Sequence, residues 1–230
     1  MNLRKTLLKD WPVWLIMIIP FIMIGYYWDQ IPEQIGMHWN SAGEVDRWEE
    51  KGWQAFLLPL ISMGVYVLLI FLPYIDPKRK TDNAQKAMRA LRIILPLFFS
   101  ALSIVVLFQW MGSDFKPSNM IYLTMCVFFL VFGNYMQTIK PNYFVGIRTP
   151  WTLESEDNWR KTHRLGGKLW VGGALLMITL WFFIPEEKQI MALLIIALGT
   201  SAIAIGYSFA LFMQERGTKK HDDPKEQELT

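Results

Sequence analysis

Long apolar blocks alternate with short polar ones along the chain. Six of them, 11–28, 54–74, 93–111, 120–138, 169–184 and 190–213, hold enough consecutive Leu, Ile, Phe, Met and Val to cross a bilayer as helices. The fifth is short, and Pro185-Glu186-Glu187-Lys188 ties it to the sixth in a tight hairpin. Between 29 and 53 the period changes to two. Ile35, Met37 and Trp39 alternate with Gly36, His38 and Asn40, the turn residues Asn40-Ser41-Ala42-Gly43 follow, and Val45 and Trp48 lie on the return. This pattern predicts a short β-hairpin. From 214 to 230 the chain is polar, mixed in charge and without apolar period, which predicts a disordered tail.

The expected fold is therefore an all-α membrane protein of six transmembrane helices. Residues 1–75 would hold the first two spans and the hairpin loop 29–53. Residues 76–213 would hold four more spans and the loop 139–168. Composition agrees: of 230 residues, 53% are hydrophobic and 15% aromatic, more than a soluble domain of this size covers with polar surface. Arg4, Lys5 and Lys9 precede the first span without a small-residue cleavage site after it, so it reads as an anchor rather than a signal peptide. Cys126, the single cysteine, lies in an apolar run, which leaves no intramolecular disulfide and no Cys-rich metal site.

Charge sets the expected orientation. With both termini in the cytoplasm, all but four of the 23 Lys and Arg fall on the inside, the exceptions being Arg47, Lys51, Lys116 and Lys188. The net charge of +3 thus describes topology and a contact with the lipid bilayer, and predicts no direct nucleic acid binding. Trp and Tyr cluster near span ends, as an interfacial belt requires.

Within those boundaries the spans hold no Asp, Glu, Lys, Arg or His; Gln109, Asn134 and Gln137 are their most polar interior groups. Ion-coupled transport needs ionisable groups at membrane depth, so the pattern weighs against it. Asn134, in Gly133-Asn134-Tyr135, is expected as an interhelical amide. No HExxH, G-x-S-x-G, Walker or dinucleotide-binding pattern occurs, and no enzyme activity or cofactor is expected. His38, His163 and His221 belong to three separate segments. His38, Glu44 and Asp46 would approach one another across the hairpin, but one histidine and two carboxylates are too few to define a metal site. His38, Trp39, Asn40, Gly43 and Asp46 instead mark the outer loop as a folded surface for something arriving from outside.

Residues 144–167, FVGIRTPWTLESEDNWRKTHRLGG, interrupt the apolar pattern most sharply, on the inside. Pro141 and Pro150 impose extended or turn backbone at Lys140 and Thr149. Thr152 or Ser155 would cap a helix that begins with Glu154, Glu156 and Asp157 and continues to Arg160, Lys161 and Arg164, a gradient that suits the helix dipole. Trp159 and His163 would share one face, Arg160 and Arg164 another. Gly166-Gly167 would permit a bend before the fifth span. An interfacial helix seated in lipid headgroups explains the charges. It does not require Gly146 before Arg148, or Pro150 between Thr149 and Trp151.

The run 133–171, and within it Gly146-Ile147-Arg148-Thr149-Pro150-Trp151-Thr152-Leu153 with Trp159 and His163-Arg164, resembles the signature of the SdpI family of bacterial membrane proteins. The outer-loop sequence IPEQIGMHWNSAGEVDRW is similar to a short domain of unknown function that often precedes it. The resemblance implies an immunity protein of the bacterial cell membrane. The family's namesake protects cells from a secreted peptide toxin that collapses the membrane potential, and holds a cytoplasmic transcriptional repressor at the membrane on sensing it. Arg148, Thr149, Pro150, Trp151, Trp159, His163 and Arg164 are then the expected docking element. Arg148 would clamp a carboxylate or backbone carbonyls, and Trp151 and Trp159 would supply rigid contact area. A channel or transporter for peptide or lipid is the alternative.

Overall fold

A computed structural model describes residues 3–40, 44–75, 82–112, 117–142 and 144–221. Helices α1 (Leu3–Lys9) and α2 (Trp11–Tyr26) meet at Asp10 with a bend of 62°. Strands β1 (Gln34–Trp39) and β2 (Val45–Glu50) pair antiparallel, with an irregular register around His38. Then come α3 (Leu57–Ile75), α4 (Asp82–Trp110), α5 (Pro117–Met136), α6 (Pro150–Glu154), α7 (Glu156–Leu180) and α8 (Glu186–His221).

Among the described residues, four helical stretches are long and apolar enough to cross a membrane: Trp53–Leu72, Met88–Trp110, Asn119–Met136 and Glu186–Gly217. The bent α1–α2 pair makes a fifth if it counts as one span. The apolar part of α7, 169–180, is shorter than these because Lys168 and the residues before it belong to the polar end. Large apolar side chains such as Ile22, Leu68, Ile195 and Leu198 point outward along the bundle, where hydrocarbon rather than water suits them.

With lipid as apolar as leucine, close backbone approach has to hold the helices together. A Cβ on Gly133 would lie 2.7 Å from the Trp170 Cβ and 3.2 Å from the Gly167 carbonyl oxygen, and one on Gly167 would crowd Gln137. Here α5 and α7 cross almost backbone to backbone. The Gly166-Gly167 pair therefore does not break the helix. α7 continues through it, and the missing side chains serve packing.

Two ends of the bundle are closed by different devices. At one, Leu69, Met88, Leu91, Met136, Ile139, Val145 and Trp159 form a core beneath the segment 137–155. At the other, Ile24, Ile31, Ile35, Ala55 and Leu107 pack the hairpin onto α2, α4 and the turn that precedes α3. α8 extends to His221, so 214–221, expected to be disordered, is helical; 222–230 lies outside the described residues.

Candidate functional site

The segment 137–165 folds as a polar knot over the ends of α5, α7 and α8. Asn142, buried, organises its first turn: its Oδ1 accepts the Phe144 and Val145 N–H groups at 2.9 and 2.8 Å, while its Nδ2 donates to the Lys140 and Val145 carbonyls. Gly146 follows at φ 113°, a left-handed conformation that only glycine adopts without strain, and any side chain there would overlap His163.

That close approach lets the Ile147 N–H donate to His163 Nε2 at 2.9 Å. Nδ1 of the same ring faces the Trp159 carbonyl at 2.8 Å, so the buried imidazole is neutral with its proton on Nδ1. Burial pushes its pKa down to about 4, against the opposing pull of the Trp159 carbonyl. Trp159 stacks on the ring, centroids 4.0 Å apart, and donates its indole N–H to the Ile139 carbonyl at 2.8 Å.

Thr149 has extended backbone before Pro150 and caps α6. It exchanges hydrogen bonds with Thr152 in a capping box, and Thr152 Oγ1 also donates to the Ile147 carbonyl at 2.9 Å. Ser155 caps α7 and donates to Glu215. Trp151 lies against Phe209 and Phe212 of α8 and donates to Ser208 Oγ at 2.8 Å. Asn158 donates to the Ser208 carbonyl at 3.0 Å and accepts from Thr162 at 3.0 Å. Thus Trp151, Trp159, His163, Thr149 and Pro150 fasten the chain's own helices. Arg148, Arg160, Lys161 and Arg164 face outward, with Asp157 pairing both Arg160 and Lys161.

Sequence reasoning did not single out Asn142, Asn158, Thr162 or Ser208. Asn158 and Thr162, four apart beside Trp159 and His163, continue one buried stripe; Ser208 is a lone polar residue in an apolar run, with no local signal of its partners. A second omission is the pair Asp10 and Arg92, 2% and 3% exposed. Arg92 Nε donates to Asp10 Oδ2 at 2.9 Å, Tyr66 OH donates to the same oxygen at 3.3 Å, and Trp14 Nε1 donates to Tyr66 OH at 2.9 Å. An ion pair therefore joins α2, α3 and α4 one residue beyond the expected span boundaries at 11 and 93, correcting the impression of a bundle without buried charge. Asn134 is exposed on α5 and forms no interhelical amide bond among the described residues.

At the hairpin end, His38 pairs with Asp46, whereas Glu44 pairs with Asn40, so the three residues do not converge. Gly43 lies outside the described residues. Lys51, its side chain 9% exposed, donates to the Ile31 and Trp28 carbonyls, pairs with Glu33 and lies over the Trp28 ring. Trp110 Nε1 donates to the Gly36 carbonyl at 2.9 Å, pinning β1 to the end of α4.

Outward-facing apolar helices, glycine-mediated crossings and polar caps at both ends define a multi-pass membrane protein. Residues 138–208, the knot with α7 and most of α8, match the SdpI/YfhL protein family, and residues 15–63, the hairpin with its flanking helices, match a domain of unknown function, DUF1648. The chain is 23% identical over 205 residues to the Immunity protein SdpI of Bacillus subtilis (strain 168), a match covering 89% of this chain and 96% of that one. No solved structure matches the chain. The similarity to a membrane immunity protein and the apolar helices together indicate a multi-pass protein of the cell membrane.

Proposed function

We propose that this is an integral membrane immunity protein that protects its cell against a secreted antimicrobial peptide. The observation that carries this reading is the similarity to an immunity protein along nearly the whole of both chains, hairpin region and knot alike. The helices cross the membrane six times, with α1–α2 as one span and α7 completing the bundle beside α5. The one-sided distribution of Lys and Arg puts the knot and both termini in the cytoplasm and the hairpin outside.

In this arrangement the hairpin end receives the amphipathic peptide before it assembles in the bilayer. The knot holds α5, α7 and α8 in one geometry. Its outward-facing Arg148 and Arg164 form the surface that a cytoplasmic partner such as a repressor would read. No catalytic step is assigned.

The test is expression of the chain in a peptide-sensitive strain challenged with membrane-active peptides, alongside reporter fusions at the hairpin turn and the C-terminus. Survival above the empty-vector strain with an external hairpin supports the reading. Equal killing by every peptide, with the protein at normal level in the membrane, contradicts it.

A further inference from the structure

A cavity of about 220 Å³ lies under the hairpin, bounded by Met37 and Trp39 of β1, Leu58 of α3, Leu102 and Val106 of α4, and Ile121 of α5. Its walls are mostly apolar, Gln54 being the one polar side chain in the lining besides the indoles of Trp39 and Trp110. Its size exceeds the roughly 150 Å³ at which an apolar protein cavity stays dry and takes up benzene, and falls short of the roughly 300 Å³ where drug-sized ligand pockets begin. The space suits one large side chain.

One polar group bears on what enters. The indole Nε1 of Trp39 is buried and donates to no acceptor among the described residues. Trp110, on the opposite wall, uses its own indole N–H on the Gly36 carbonyl, so the hairpin cannot move freely to supply the missing acceptor. A buried N–H without a partner is an unfavourable state that an occupant with an acceptor relieves. The hydrocarbon tail of a lipid brings apolar volume but no acceptor, its ester carbonyl lying at the far, headgroup end of the chain. A peptide residue brings both in one unit, an apolar side chain and a backbone carbonyl.

We propose that this cavity is a receptor pocket for a single apolar side chain of a hydrophobic peptide, whose backbone carbonyl accepts the Trp39 indole N–H. This deepens the immunity reading and rests on it: the pocket is where the outer end of the bundle engages the peptide. Affinity comes from filling the cavity, and the preference for peptide over lipid comes from Trp39.

The full chain in lipid nanodiscs is titrated with N-acetyl-phenylalanine methylamide and with toluene, following the Trp39 indole ¹H–¹⁵N resonance and bound probe relative to empty nanodiscs. The expected result is saturable binding of the amide with a downfield shift of that resonance. Trp39→Phe should weaken the amide about three- to ten-fold relative to toluene, and Leu102→Trp, which fills the cavity, should abolish binding of both. Amide binding that survives Leu102→Trp, an amide-to-toluene ratio unchanged by Trp39→Phe, or no saturable binding to the parent chain overturns the proposal. Full cell protection by the Leu102→Trp protein overturns the pocket alone, whereas absence of protection by the parent chain overturns the immunity reading.

Discussion

Gly146 and His163 are fitted to each other: the glycine carries no side chain because the imidazole Nε2 occupies the place its Cβ would take, and the next N–H along the chain bonds that nitrogen. Replacing Gly146 with Ala imposes both a strained φ and a clash with a buried ring held on both its nitrogens. Thermal unfolding in detergent should show a loss of roughly 2–4 kcal/mol. A Gly146→Ala protein as stable as the parent would contradict the geometry of the knot.

The same ring makes the knot sensitive to acid. His163 has its pKa lowered to about 4 by burial, against an ordinary value near 6.5 in the unfolded chain. The unfolded state therefore binds the proton more readily, so the neutral ring's contribution is fully present above pH 6.5 and is lost as pH falls towards 4. The loss amounts to roughly 3 kcal/mol at most. Protection factors of the 144–165 amides, taken relative to the intrinsic exchange rate at each pH, should fall across this window, and His163→Gln should flatten the dependence.

Asp10 and Arg92 predict an asymmetric response to mutation. Asp10→Leu alone leaves a buried guanidinium without its carboxylate and should cost about 3–5 kcal/mol. The double change Asp10→Leu with Arg92→Met removes both charges and should recover most of that loss, a coupling that a double-mutant cycle measures directly. Additive losses would mean that the two side chains do not meet.

Gly133 and Gly167 set the separation of α5 and α7. Gly167→Leu should force the helices apart and destabilise the protein by about 1–3 kcal/mol. Gly172→Leu on the same helix, where a Cβ meets nothing, should be close to neutral. Paired distance measurements between spin labels on α5 and α7 read the difference.

Periodicity disclosed the hairpin and the apolar helices because each buries or exposes its residues by a local rule. The knot was legible as a structured element from Gly146 and Pro150, whose backbone demands exceed those of a charged rim. What escaped depends on pairs distant in sequence. Asp10 and Arg92 each sit one step outside an apolar block, and nothing local joins α1–α2 to α4. Gly166-Gly167 reads equally as a bend or as a close approach until the facing Gly133 is in place. That Trp151 packs on α8 has no local sign either, because its acceptor, Ser208, lies in another helix. The proposed roles of Arg148 and Arg164 rest on their outward placement and on the similarity to the SdpI/YfhL family over this segment.

The proposed immunity function requires that the protein spare its cell from a membrane-active peptide. Its most direct test is the membrane potential, followed with a potential-sensitive dye in peptide-sensitive cells carrying the chain or an empty vector. On addition of a secreted, depolarising peptide toxin, cells with the chain should keep their potential while vector cells lose it. Equal depolarisation in both, with the protein present in the membrane at its normal level, would contradict the account.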